Sequence, residues 1–234
     1  MNDLASAKAS FKDQAVIFTR KHTWIMCLLY LGTFGSFIGF AAGFPLLTKS
    51  QFSGIDPVKY AFVGPLVGAL ARPFGGWLSD KIKSGALITQ IVFVGMIVAV
   101  FGVIHFLPTN GQGGDFWGFF SCFIALFALT GLGNGSTFMQ VPVIFLNMHQ
   151  KFAEQGKVSM EQARLNATKE GAAVVGFTAA FAAYGGFFIP KSYGTSIALT
   201  GSVNAALYAF IAFYVLCCLL NGWYYLRSGA EAKC

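Results

Sequence analysis

The chain reads as an all-α integral membrane protein of six transmembrane helices, and three observations predict it. Of its 234 residues 56% are hydrophobic and only 11% charged, where a soluble domain carries about 25%. Mean hydropathy is +0.63. Six apolar stretches, near 23–47, 60–79, 86–107, 116–146, 171–190 and 204–226, each approach the ~20 residues that a helix needs to cross a bilayer.

Polar or turn-rich segments separate the stretches: TKSQFSGIDPVK, SDKIKSG, PTNGQGGD, the long 147–170 connection, and PKSYGTSIALTGS. Pro57, Pro108 and Pro190 punctuate them. The 147–170 connection is expected to hold a short surface helix. Residues 1–22 read as a cytoplasmic lead-in segment that is amphipathic near its end, 23–226 as the transmembrane bundle, and 227–234 as a cytoplasmic tail. The first twenty residues are polar, so no cleavable leader is expected.

Six crossings put both ends on one side. Of sixteen Lys and Arg, Lys49, Lys59 and Lys191 fall on the opposite side, Arg72 within a span, and the other twelve on the side of the ends. By the positive-inside rule that side is the cytoplasm, and a multi-pass protein of the cell (inner) membrane is expected. The same rule accounts for the net charge of +7, so nucleic acid is not expected as a partner. Cys27, Cys122, Cys217, Cys218 and Cys234 form no CxxC pair and no Cys/His metal spacing. No cofactor and no metal are expected.

In the first span Gly35, Gly39 and Gly43 recur every fourth residue and make a packing strip. At about 100° per residue Tyr30 and Phe34 point away from it, toward a cavity. The second span carries Arg72 in GPLVGALARPFGGWLSDK. An arginine at the bilayer centre costs about 2.5–3.5 kcal/mol, so it is kept for a purpose. Asp80 lies eight residues on, about 12 Å along a helix. Gly64, Gly68, Gly75 and Gly76 are expected to leave room beside the guanidinium, and Pro73 to kink the helix. All nine acids lie in tails, loops or span edges. A bound anion is therefore the economical partner for a planar, always charged fork of donors; a structural arginine on backbone carbonyls, or on an absent partner chain, is the alternative.

In the fourth span TGLGNGSTFMQVP contains Gly131, Gly133, Asn134, Gly135 and Ser136. It sits in an apolar run with no preceding strand, so close helix packing is expected rather than a nucleotide loop, with Asn134 as a ligand for substrate or backbone. Gly185 and Gly186 mark a close approach or local unwinding in the fifth. His22, His105 and His149 lie at span edges and no span holds an acid, so an intramembrane protease is not expected and the chain reads as a non-enzyme.

Taken in order, LLYLGTFGSFIGFAAGFPLLTKSQF, AFVGPLVGALARPFGGWLSDK, GLGNGSTFMQVPVIF and AAYGGFFIPKSYG resemble the C-terminal six-helix half of the nitrate/nitrite porters of the major facilitator superfamily. Gly76, Asp80 and Lys81 match that superfamily's loop motif. The resemblance implies transport of nitrate and nitrite, in nitrate assimilation, at a site between two six-helix halves. It implies that Arg72 is the anion-gripping arginine of this half, Tyr30 the tyrosine and Phe34 the stacking ring. Asn134, Gly133, Gly185 and Gly186 match glycine-rich positions around the site. Such a porter has about twelve spans, so the resemblance implies an N-terminal partner half, pairing with a second copy, or a non-transporting fragment; another small anion is the alternative cargo. With no intramembrane acid to relay protons, anion-for-anion exchange is the expected mode.

Overall fold

The computed structural model describes residues 15–109 and 112–234, and these are helical with short connections and no strand. Helix α1 runs Lys21–Gln51, α2 Val63–Ile82, α3 Gly85–Phe106, α4 Phe116–Glu154, α5 Met160–Ala183, α6 Gly185–Thr200 and α7 Asn204–Leu226. Helices α5 and α6 meet at Tyr184 and together form one 41-residue rod, Met160–Thr200. Residues 1–14, which hold most of the expected lead-in segment, lie outside the described residues.

Five of these rods are long and apolar enough to cross a membrane: α1, α3, α4, α5 with α6, and α7. The twenty-residue α2 falls short in hydropathy because Arg72, Asp80, two prolines and four glycines dilute it. Its course is nevertheless clear from its ends. Lys21, at the start of α1, pairs with Glu231 of the tail, and Ser84, just past α2, donates to the main-chain oxygen of Cys234 at 2.9 Å. The chain leaves this end of the bundle along α1 and returns to it along α2. The end of α4 joins the same end, where Asn147 donates to the carbonyl of Lys233 at 3.0 Å.

Helix boundaries follow local chemistry. Ser84, Asp115 and Ser159 cap α3, α4 and α5 by accepting from main-chain N–H groups of the first turn. Gly201, at φ 71°, ends α6 in the left-handed conformation that glycine adopts freely. Two sequence expectations are corrected. The 147–170 connection shrinks to 155–159, because α4 continues to Glu154 and α5 begins at Met160. Pro190 lies inside α6, which runs on to Thr200, so the rod reaches well past residue 190; a proline is tolerated there because neighbouring groups in a bundle can satisfy the freed carbonyl.

The core is aromatic and glycine-packed. Phe40, Phe44, Phe119, Phe123 and Phe127 are all buried where α1 meets α4. Buried polar groups are mostly paired, as a membrane interior demands: Thr89 with Ser136 at 2.7 Å, Ser36 with Tyr214 at 2.8 Å, and Asn221 with the carbonyl of Ala86 at 2.8 Å.

Candidate anion site

Helix α1 is not a regular α-helix. Residues Leu31–Gly35 form a π turn between α-helical Lys21–Tyr30 and Ser36–Gln51. Such bulges admit an extra residue and re-aim the side chains beside them, and they concentrate at functional positions. Phe34 is part of this turn and Tyr30 immediately precedes it. Their ring centroids stand 5.4 Å apart.

Arg72 comes from α2. Its guanidinium carbon lies 5.7 Å from the centroid of the Phe34 ring. Arg72, Phe34 and Tyr30 are thus brought together from two helices. Among the described residues Arg72 makes no ion pair, and its side chain is exposed on the bundle. A guanidinium over a ring face keeps its in-plane N–H donors free for an acceptor.

Glycine holds this arrangement together. A methyl at Gly68 would come within 2.7 Å of the carbonyl of Phe127, and one at Gly75 would strike the backbone of Leu132. Gly131 faces Gly68, and Gly135 faces the carbonyl of Arg72 itself. Helices α2 and α4 therefore run parallel, from Gly64 against the Phe127 ring to Gly76 near the Met139 side chain, with their backbones touching in between. This corrects the expectation that Gly64, Gly68 and Gly75 leave room beside Arg72, since α4 fills that face. What remains small on Arg72's own flank is Ala69, three residues before it, and Gly76, four after. Helix α2 also continues unbroken through Pro73.

The other candidate positions divide between contact and chemistry. Gly133 packs on Thr33 and Val92, and a methyl there would come within 2.7 Å of the Thr33 side chain. Gly185 lies against the backbone of Gly35, and Gly186 against Ile38. These glycines fix where the Tyr30–Phe34 segment sits. Asn134 is 2% exposed, and its Oδ1 finds no partner among the described residues. An orphan acceptor suits a donor; turning the carboxamide over presents its NH2, which suits an anion. Of the loop motif, Asp80 is exposed and forms no ion pair among the described residues, while the Lys81 ammonium lies 4.9 Å from the Trp77 ring centroid.

Thr33 escaped the sequence reading. Its hydroxyl meets that of Thr137 at 3.1 Å, and Thr137 donates to the carbonyl of Gly133 at 2.7 Å. That pair ties the π turn to the glycine-rich part of α4. A threonine three residues after Tyr30, with another closing GNGST, was the available signal.

No family model matches the chain. Curated relatives do. It is 45% identical over 234 residues to the nitrate/nitrite transporter NarU of Escherichia coli (strain K12), covering all of this chain and 50% of that protein. It is 46% identical over 228 residues to NarU of Salmonella typhimurium, covering 97% of the chain and 49% of that protein. Along its whole length the chain is similar to nitrate/nitrite transporters. A third relative, the probable nitrate/nitrite antiporter NarK2 of Thermus thermophilus, is 38% identical over 232 residues, 97% of the chain and 47% of that protein. The chain spans about half the length of these curated relatives. They are named as transporters, not as enzymes.

Proposed function

We propose that this chain forms the C-terminal, six-crossing half of a major facilitator superfamily porter that exchanges nitrate and nitrite across the inner membrane, with both ends cytoplasmic. The observation that carries the reading is Arg72, a fixed cation without a carboxylate among the described residues, held over Phe34 and beside Tyr30 at a π turn. A planar oxyanion satisfies that fork of donors while an aromatic ring covers it. The six-crossing count is supported by α2 returning to the end where α1 begins. The clustering there of Arg20, Lys21, Lys83, Lys151 and Arg227 supports placing that end in the cytoplasm.

In the assembled porter a second half closes the site, and the two rock about the bound anion. Tyr30 offers a hydroxyl, Phe34 a face and Arg72 the charge. Gly133, Gly185 and Gly186 set the backbone around them, and Asn134 lines the site from α4. An empty site leaves Arg72 uncompensated, which disfavours the empty crossing and couples the entry of one anion to the exit of another. The name of the Thermus relative is in keeping with exchange.

The test is nitrate uptake into vesicles that hold this chain with and without a co-expressed N-terminal half. Uptake that requires the partner is the expected result. Uptake by the chain alone would assign the second half to another copy of it. Silence in both sinks the transport reading.

A further inference from the structure

At the basic end of the bundle lies a second site, far along α1 from Phe34. A cavity of about 350 Å3 opens between the start of α1, the end of α4 and the tail, lined by Arg20, Lys21, His22, Lys151, Phe152 and Glu231 among others. Its level in the membrane is marked by exposed Trp24 and Trp223, since tryptophan gathers where lipid headgroups begin.

The charges in the cavity do not balance. Glu170 takes Arg20 in a two-bond fork at 3.0 and 2.9 Å, which neutralises it. Among the described residues Glu231 is the one carboxylate lining the cavity, and it pairs with Lys21. Lys151 donates to the main-chain oxygen of Glu231 at 2.5 Å and makes no ion pair among the described residues, so it shares with Lys21 the one nearby carboxylate. His22 is 4% exposed, its Nδ1 held by the Tyr225 hydroxyl at 3.1 Å. Its Nε2 is turned toward the Glu231 carboxylate at 3.6 Å.

We propose that this cavity is a binding site for a phosphate group, with Lys21, Lys151 and His22 Nε2 as donors and the Glu231 carboxylate as its internal competitor. Two ammonium groups and a buried ring nitrogen converge on a position that a carboxylate already half fills. Phosphate offers more acceptor oxygens and more charge than that carboxylate. Basic pockets between spans on the cytoplasmic face take the headgroups of anionic lipids; a soluble phosphate presents the same chemistry. The proposal rests on the chain crossing a membrane with this end at the headgroups, and does not depend on what Arg72 carries.

The experiment is thermal melting of the full chain in phosphatidylcholine nanodiscs, with two arms: a rising fraction of phosphatidylglycerol, and inorganic phosphate added to pure phosphatidylcholine. Saturable stabilisation in the first arm assigns a lipid headgroup, and in the second a soluble phosphate. The Lys21→Gln/Lys151→Gln variant is expected to need at least tenfold more ligand for half-saturation, since each cation near the surface contributes about 1 kcal/mol. Glu231→Gln is expected to melt lower without ligand yet to need less of it, because the competitor is gone. A purely structural Glu231 would not give that second result. Lys49→Gln/Lys59→Gln, at the other end, should leave half-saturation unchanged. No saturable effect in either arm, equal half-saturation in all variants, or an equal shift in the Lys49/Lys59 control would each overturn the site.

Discussion

The guanidinium carbon of Arg72 stands 5.7 Å from the ring centroid of Phe34, and that pairing joins the one charged residue deep in α2 to the π turn of α1. Neither partner explains the other by itself. A cation–π contact contributes about 0.5–2 kcal/mol, which does not repay the ~2.5–3.5 kcal/mol that an arginine costs at mid-membrane. In the proposed porter the remainder comes from the anion on the free donors.

Arg72→Lys tests that remainder. Lysine keeps the charge but loses the planar fork and stacks poorly on Phe34. A lost charge-assisted hydrogen bond costs about 1.5–3 kcal/mol. Nitrate uptake by the assembled porter is therefore expected to fall about ten- to hundredfold, with expression and insertion unchanged. Undiminished uptake would show that Arg72 serves the fold alone.

A contrast of two glycines tests the contact between α1 and α6. Gly185 lies on the backbone of Gly35, so Gly185→Ala drives a methyl into a main chain that cannot yield cheaply. Gly176, within α5, has nothing within 4 Å of where its methyl would go. Gly185→Ala is expected to cost about 1–3 kcal/mol, the range for overpacking. Gly176→Ala is expected to be neutral or to gain up to ~1 kcal/mol from helix propensity. Melting in detergent reads both, and equal shifts would refute the crossing at Gly35.

Much of this was legible beforehand, for reasons visible in particular residues. Hydropathy marks the spans because a bilayer demands it, and Arg72 stood out because no acid lies in the interior of the apolar stretches. The every-fourth-residue glycines of α1 are a packing strip as read: Gly39 meets Ile189 and Gly43 meets Tyr193. The glycines of α2 were misread as open space, because a missing side chain shows in sequence but what fills its place does not. The π turn was invisible because it changes the hydrogen-bond register without changing composition. The docking of Glu231 joins residues some 210 positions apart, and no local pattern encodes it.

The corrected role of the α2 glycines has its own consequence. Gly75 is pressed against the backbone of Leu132, whereas a methyl at Gly76 would meet only Met139, at 3.8 Å, and the carbonyl of Gly135, at 4.0 Å. Gly75→Ala is expected to separate α2 from α4 and to lower the melting temperature. Gly76→Ala, although it alters the loop motif, is expected to leave folding intact. If Gly76→Ala reduces transport while melting normally, the motif acts in the conformational cycle and not in assembly. Equal loss of stability in the two variants would contradict the parallel contact.

The tail gives a prediction in which acidity matters. The hydrogen bond from the Lys21 ammonium, aided by the charges of Lys21, His22 and Lys151, holds the Glu231 carboxyl below its usual value. A carboxylate whose folded value is depressed lends its full stabilisation above the unfolded value and loses it as the pH falls through the folded one. The contribution of the Glu231 carboxylate to docking should therefore be constant from neutrality down to the ordinary carboxylate range, about 4.3, and be lost only below it. The amides of Ala232 and Cys234, which donate to Tyr224 and Tyr225, report this by hydrogen exchange normalised to intrinsic rates. Burial also pushes the Cys234 thiol up to about 12, against about 8.5 for a free thiol. At pH 8 its alkylation should be at least a hundredfold slower than that of an exposed cysteine. Glu231→Gln should speed it severalfold, because the ion pair that holds the tail is gone. Alkylation at the free-thiol rate in the unaltered chain would mean that the tail does not dock.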